Sequence, residues 1–269
     1  MGAIGPIPVI SPFDATVLKT TQGSYSMTKI TLLLCTILVS FCPSALAAEN
    51  NTYLYKVSLV QAAPGKLTEL IDLYKTRFGD LKGAGDELPL WMRHSQGDHW
   101  DLMILAPMGS YLDYYGRERI SERSKAEEAT ANRMKPDIAW QEDLFVYGPP
   151  VPLLRKAFGD GAFFHVEMFI ALPGEFPSLY KEREMENAYA RALKEPGNFI
   201  FVRDQGVAWD IFTIGIFRDL KHYAESADVP IKDQEAAAKA AGFESPGQIG
   251  PYLRRFIREH HDTLAVAIK

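Results

Sequence analysis

Hydrophobic and polar positions alternate over residues 54–62, with Tyr55, Val57 and Leu59 on one face and Lys56 and Ser58 on the other. That two-residue period predicts a β-strand. Pro64-Gly65 ends it, and Leu67, Leu70, Ile71, Tyr74 and Phe78 then recur at helical spacing before Gly79, Gly83 and Gly85,. Short strands over 90–95 and 99–105 flank Gln96-Gly97 as a hairpin. A helix from Ser110 runs on through the charged segment 117–135 to Pro136, and a strand over 138–147 completes the order βαββαβ. Gly148-Pro149-Pro150-Val151-Pro152 marks a boundary, because its prolines cannot continue a ladder. The same order then returns: a strand over 163–172, a helix over 175–194, a loop over 195–198, strands over 199–203 and 209–217, and a helix capped by Asp219,. An added helix over 232–241 stops at Gly242. Tyr252, Leu253, Phe256 and Ile257 mark one more helix, which runs through His260-His261 into a strand over 263–268.

The two halves also share residues. Gln96-Gly97-Asp98-His99-Trp100-Asp101 is echoed by Gln205-Gly206-Val207-Ala208-Trp209-Asp210, an offset of 109 from Gln96 to Gln205. The same offset relates Val57 to Val166, Pro64-Gly65 to Pro173-Gly174, Leu70 to Leu179 and Tyr114 to Tyr223. One constant offset across so many anchors indicates an internal repeat. The first unit is taken as 48–150 and the second as 151–269, with a helical insertion near 228–250.

Two tandem βαββαβ units resemble the dimeric α+β barrel superfamily, in which two ferredoxin-like units join their sheets. Here one chain supplies both, so the expected fold class is α+β, an intrachain barrel. The strand, Pro64-Gly65-Lys66-Leu67, the helix and the hairpin carrying Gly97 and Trp100 also resemble the NIPSNAP and antibiotic-biosynthesis-monooxygenase groups. That resemblance implies fold more than activity, since such groups span haem-degrading enzymes, monooxygenases, isomerases and proteins with no known reaction.

The N-terminus changes the picture of compartment. Lys29 precedes the apolar run 30–41, Pro43 breaks it, and Ala45-Leu46-Ala47 follows. This is the order of a secretory signal peptide over 27–47, with 1–26 as an upstream extension and Ala48 as a second cleavage point. The expected location is periplasmic or secreted. Cleavage after Ala47 leaves 222 residues and removes both cysteines, which excludes disulfides, thiolate metal sites and cysteine nucleophiles,. The remaining chain carries 27 basic against 33 acidic residues. A mildly acidic domain offers no footprint for nucleic acid or for an anionic membrane. A small-molecule ligand is the expected partner, and a homo-oligomer is left open.

For chemistry, alternation within 163–172 separates Phe164, Val166, Met168 and Ile170 from Phe163, His165, Glu167 and Phe169. The wholly apolar set is expected under the helices and the other set in the barrel lumen. An imidazole and a carboxylate two apart suit an acid/base pair, two metal ligands or a structural hydrogen bond. If the third strand lies parallel beside the first, Asp210 approaches His165 and orients it. Presence of the Trp-Asp pair in both copies fits a structural duty better, in which Trp packs and Asp bonds the hairpin backbone. The candidate catalytic set is therefore His165, Glu167 and Asp210. Lys56, Ser58, Phe163, Phe169, Trp100, Trp209 and His261 are expected to line the ligand cavity. Glu259-His260-His261-Asp262 is the densest titratable run, but at a helix end adjacent histidines cannot share a metal, and its centre is expected apart from His165. No metal site is assigned, and the cofactor is left open. Phosphate loops, nucleophile elbows, HExxH and CxxC are absent from the sequence,.

These features lead to an exported protein that binds or transforms a small aromatic or lipophilic molecule in the inter-sheet cavity. Monooxygenase- or isomerase-like chemistry is what the resemblance implies. One alternative is a non-catalytic stress or scaffold protein using open sheet edges and the insertion. Another is a haem or metal binder.

Overall fold

A computed structural model describes residues 53–207 and 209–268, so the upstream extension and the signal peptide lie outside the described residues. The chain runs β1 (Tyr53–Ala62), α1 (Leu67–Gly83), β2 (Leu90–Gln96), β3 (Leu102–Gly109), α2 (Tyr111–Tyr114), α3 (Arg117–Met134) and β4 (Ile138–Gly148). After α4 (Val151–Asp160) it repeats as β5 (Phe163–Ala171), α5 (Phe176–Ala192), β6 (Phe199–Gly206), β7 (Ile211–Phe217) and α6 (Leu220–Ala224). Then come α7 (Ile231–Ala241), α8 (Ile249–Leu253) and β8 (Ile257–Ala267). Helices α1 and α5 begin and end at the repeat offset, and α7 is the predicted insertion, closed by Gly242 in the left-handed conformation,. Helix α4 is not foreseen from the sequence. Pro152 falls in its first turn, where a missing N–H costs nothing,. Among the described residues no helix is long and apolar enough to cross a membrane.

The eight strands form a closed barrel in the order β1-β3-β2-β8-β5-β7-β6-β4. Each half contributes four antiparallel strands, and the halves join where β2 meets β8 and β6 meets β4. Closure leaves no open sheet edge among the described residues, which removes the edge-docking route of the scaffold alternative. It also corrects the expected direction of the third strand. The tight hairpin reverses the chain after β2, so β3 lies antiparallel beside β1, and β7 lies antiparallel beside β5.

An eight-stranded barrel encloses just enough space for its own side chains. Here Tyr55, Val57 and Leu59 from one half meet Phe164, Val166, Met168, Phe201 and Phe212 from the other in one buried core, joined by Trp100 and Trp209. The inter-sheet cavity expected from the sequence is therefore filled, and the two faces of β5 are the reverse of expectation. The wholly apolar set points inward because the closed interior is the driest place in the molecule. Phe163, His165, Glu167 and Phe169 face outward, toward the helical layer. Lys56 and Ser58 take the same outward face in the first half.

The repeated Gln-Gly motif stands at the two seams. Gly97 has φ +115°, and a Cβ there would lie 2.1 Å from the Asp262 carbonyl oxygen and 2.8 Å from Thr263 Cα. Gly206 has φ +110°, and a Cβ would lie 2.6 Å from the Asp143 carbonyl oxygen and 2.7 Å from Leu144 Cα. Each hairpin thus presses bare backbone against the last strand of the opposite half. The aspartates that come next repeat as well: the Ala62 N–H donates to Asp101 Oδ2 at 2.8 Å, and the Ala171 N–H to Asp210 Oδ2 at 2.9 Å. Trp packing and Asp bonding of the backbone are thus the same in both halves.

Gly97→Ala and Gly206→Ala should each lower stability by roughly 2 kcal/mol or more, since left-handed backbone strain and a clash with backbone act together. Gly65→Ala and Gly174→Ala, which share positive φ but open onto empty space, should cost only about 1–2 kcal/mol of strain. Urea denaturation of the four variants checks the ranking.

Candidate functional site

The outward face of β5 brings His165 and Glu167 beneath α5, and β8 lies alongside. Cross-strand pairing sets Glu167 opposite Asp262 and Phe169 opposite His260. Residues 257–262 are strand, not the end of a helix, because they pair with β5 along their length. Alternation then sends His260 and Asp262 to the same outward face as His165 and Glu167, while His261 turns the other way. The two titratable centres expected to stay apart are one cluster. His165 Nε2 lies 3.2 Å from Asp262 Oδ1. His260 Nε2 lies 3.4 Å from Asp262 Oδ1 and 3.6 Å from Glu167 Oε1. The His260 ring also stacks on Phe169, with centroids 4.6 Å apart.

Helix α5 closes the cluster with charge. Leu179, Glu182, Arg183 and Glu186 occupy one helical face, and Glu182 and Arg183 are almost wholly buried,. Arg183 donates from Nε to Glu182 Oε2 at 2.7 Å, pairs through Nη1 with Glu186 Oε2 at 2.9 Å, and lies 3.4 Å from both oxygens of Glu167. Its guanidinium carbon is 4.5 Å from the centre of the Phe169 ring. Glu167 Oε2 accepts further bonds from the Thr213 hydroxyl at 3.0 Å and from Asn198 Nδ2 at 3.3 Å.

Above these groups opens a cleft of about 470 Å³. His165 and Glu167 form its floor, Glu186, Asn187 and Tyr189 come from α5, and Phe217, His222 and Tyr223 from the end of β7 and from α6. Asn187 pins the far wall, donating to the Asn198 carbonyl at 2.8 Å and accepting from the Asn198 N–H at 2.6 Å.

The other expected site residues are elsewhere. Asp210 bonds the backbone at the opposite end of β5 and pairs with Arg203, far along the strand from His165, since antiparallel pairing sets His165 against Gly215. Trp100 and Trp209 belong to the barrel core. Phe169 packs under α5 with Leu179, and Phe163 lies against Tyr223 at 5.6 Å. His261 sits at the seam, its Nδ1 2.9 Å from Asp98 Oδ2. Lys56 and Ser58 form a first-half counterpart of the cluster: Lys56 Nζ is 3.0 Å from Asp143 Oδ2, and the Ser58 hydroxyl donates to Asp143 Oδ1 at 2.5 Å. Asp143 pairs across from Ser58 as Asp262 does from Glu167.

Glu182, Arg183 and Glu186 are site residues that the sequence reasoning missed, while His260 and Asp262 enter the site although their run is expected to stand apart from it. At the repeat offset the three α5 charges replace Leu73, Tyr74 and Arg77, and Asn187 replaces Phe78. In the first half Tyr74 and Phe78 are buried and pack with Trp91. Charges at core-stripe positions of an amphipathic helix were the available signal.

Crowded carboxylates divide their protons. Burial, with the nearby Glu167 and Glu182 charges, outweighs Arg183 and pushes Glu186 up to about 7. Burial likewise raises Glu182. Burial would raise Glu167 too, but His260, Arg183 and His165 outweigh it and hold that carboxyl below its ordinary value. The adjacent imidazoles of His165 and His260 hold Asp262 well below the usual range. The imidazoles respond in kind. Burial pulls them down, yet Asp262 and Glu167 together raise His165 and push His260 up to about 9. His165, Glu167 and Asp262 each present one ligand atom, all within 4.8 Å of one another, so the floor offers both proton-exchanging and metal-ligating groups.

No family model and no functionally curated protein matches the sequence. Solved structures do match. An anthrone oxidase-like protein aligns at 14% identity over 81% of this chain and 92% of its own, with a TM-score of 0.53. A candidate monooxygenase from Fusobacterium nucleatum aligns at 11% identity over 81% and 94%, with a TM-score of 0.50. Both are dimeric α+β barrel proteins, and this chain has that fold.

The charge layer has two testable outcomes. Arg183→Met leaves buried carboxylates uncompensated and should cost roughly 3–5 kcal/mol in urea denaturation. Glu186 keeps its proton in the folded state to about 7, against an ordinary 4.5, so its ionisation subtracts stability as pH rises through that window. Glu186→Gln should therefore raise Tm by about 2–4 °C at pH 8. The gain should vanish near pH 4, as differential scanning fluorimetry across pH would show.

Proposed function

We propose that the protein binds a small aromatic molecule in the outer cleft of its second half and exchanges a proton with it. The observation that carries this reading is the asymmetry of the repeat. Two halves with one backbone plan cover the outward face of the sheet differently: the first with Tyr74, Phe78 and Trp91, the second with carboxylates, a guanidinium and imidazoles. Apolar packing suffices at the positions of Glu182, Arg183 and Asn187, where the first half has Leu73, Tyr74 and Phe78, and replacing a buried ion network by apolar side chains is usually neutral or stabilising. The second half therefore retains charge for something other than stability.

The walls suggest what enters. Tyr189, Phe217 and Tyr223 offer flat apolar surface, while His165, Glu167 and Asn198 offer a few polar atoms at one end, as is usual for small-molecule sites. Glu186 changes protonation near neutrality, which suits a carboxyl that takes a proton from an acidic O–H or C–H and returns it. His165 and Glu167 anchor the polar end of the ligand. Such proton removal is compatible with monooxygenase- or isomerase-like chemistry, and the names of the anthrone oxidase-like and monooxygenase neighbours lend it support. The leader-like N-terminus supports action in the periplasm or outside the cell.

Ligand-observed NMR with a panel of phenols, aromatic acids and neutral aromatics tests the reading. A binding compound should weaken at least about tenfold on His165→Gln or Glu186→Gln, a loss of about 1.4 kcal/mol, and be unaffected by Lys56→Ala. Binding that ignores both second-half substitutions, or a panel without any binder, would overturn it.

A further inference from the structure

The floor of the cleft carries more negative charge than its fixed cations balance. Glu167, Glu182 and Glu186 stand around one guanidinium, and Arg183 makes its shortest contacts to Glu182 and Glu186 rather than to Glu167. Among the described residues Asp262 pairs with no arginine or lysine, only with the imidazoles of His165 and His260. Asp262 is exposed at the cleft floor, open to an incoming ion, whereas Glu167 beside it is buried, and a buried carboxylate is costly unless a proton or a cation joins it.

The first half shows how the equivalent place is filled there. Lys56 stands at the repeat position of His165, Ser58 at that of Glu167, and Asp143 opposite Ser58 as Asp262 stands opposite Glu167. The Lys56 ammonium lies 3.0 Å from Asp143, so this half carries its own cation on a side chain. The second half has exchanged that lysine for an imidazole and the serine for a carboxylate. The change removes the built-in cation and adds two ligand groups.

A second observation comes from His260. Its Nε2 is buried and makes no hydrogen bond of ordinary length among the described residues, yet it faces the same carboxylates at 3.4 and 3.6 Å. Stacking on Phe169 fixes its ring.

We infer that His165, His260, Glu167 and Asp262 form a binding site for one divalent transition-metal ion at the floor of the cleft. Two imidazoles and two carboxylates select Zn²⁺, Fe²⁺ or Mn²⁺ over Ca²⁺ and Mg²⁺, which prefer all-oxygen sites. The ion occupies the place that the Lys56 ammonium takes in the first half. The Thr213 hydroxyl and Asn198 amide hold Glu167, which sets its remaining oxygen toward the ion,. With the ion bound, His165 is a ligand, and Glu186 alone remains to exchange protons. The inference rests on the assignment of this cleft as the small-molecule site.

Metal content of the full chain as purified, by inductively coupled plasma mass spectrometry, is the first measurement. The chelator-stripped protein is then titrated with Co²⁺ and followed by visible d–d absorption. One equivalent should bind. His165→Gln and Asp262→Asn should each weaken binding by about tenfold or more, and Asp143→Asn should bind as the unmodified chain does. If the variants fold poorly, X-ray absorption of the Co²⁺-loaded unmodified protein decides, because imidazole scattering must be present. Absence of Co²⁺ binding, binding unchanged in both second-half variants, or a first shell without imidazole would overturn the site. Repeating the aromatic-ligand titration in chelator separates the two readings: ligand binding without metal leaves the cleft assignment standing and removes only the ion.

Discussion

Two hairpin glycines, each pressed against the last strand of the opposite half, are the contacts on which the barrel depends. Gly97 against Asp262 and Thr263, and Gly206 against Asp143 and Leu144, leave no room for a side chain. These contacts let β2 meet β8 and β6 meet β4, and so they turn two four-stranded sheets into one barrel. Closure then dictates the facing of every strand. The interior of an eight-stranded barrel has space for side chains and little else, so only the apolar set of each strand can point there. The polar set must face outward, beneath the helices, and that is where chemistry has room to develop.

The two halves meet this demand with opposite means. In the first half the outward polar groups of β1, Lys56 and Ser58, are answered by Asp143 of β4, and aromatic side chains from helix and strand cover the rest. Under α5 the helix brings a buried glutamate, a half-buried one and a buried arginine onto a face already holding a glutamate, an aspartate and two histidines. Burying such a layer is expensive because each ion loses its water, and mutual attraction seldom exceeds that loss. The divergent protonation behaviour of neighbouring glutamates is the visible result. Glu167, bonded by Arg183, Thr213 and Asn198, holds its charge, while Glu186 at the cleft edge yields it near neutrality.

Much of this architecture could be read from the chain. A constant offset marked the repeat, the hairpins and the register of the two long helices, and the insertion announced itself through its own period and its Gly242 stop. The facing of the strands could not be read in the same way. Alternation in β5 divides Phe164, Val166, Met168 and Ile170 from His165 and Glu167, yet which set is inside depends on closure, a contact between residues far apart in the chain. The stretch before β8 misled for a related reason. Tyr252, Leu253, Phe256 and Ile257 have helical spacing, and only pairing with β5 makes strand of the histidines beyond them. The α5 charges were legible, by contrast. Setting Glu182, Arg183 and Glu186 beside Leu73, Tyr74 and Arg77 shows a core stripe turned ionic.

Asp262 ties these threads together. Its side chain serves the second-half cluster, bonded to His165, while its carbonyl lies where the first half's Gly97 admits no Cβ. Asp143 has the mirrored position against Gly206. Duplication has thus kept the closing hardware on both sides and changed only the side chains that face the helices. The position of the Asp262 carboxylate is set by one half and its partners by the other. A second half without the first would retain His165, Glu167 and Arg183, but it would lack the contact that holds the fourth side of the cluster in register.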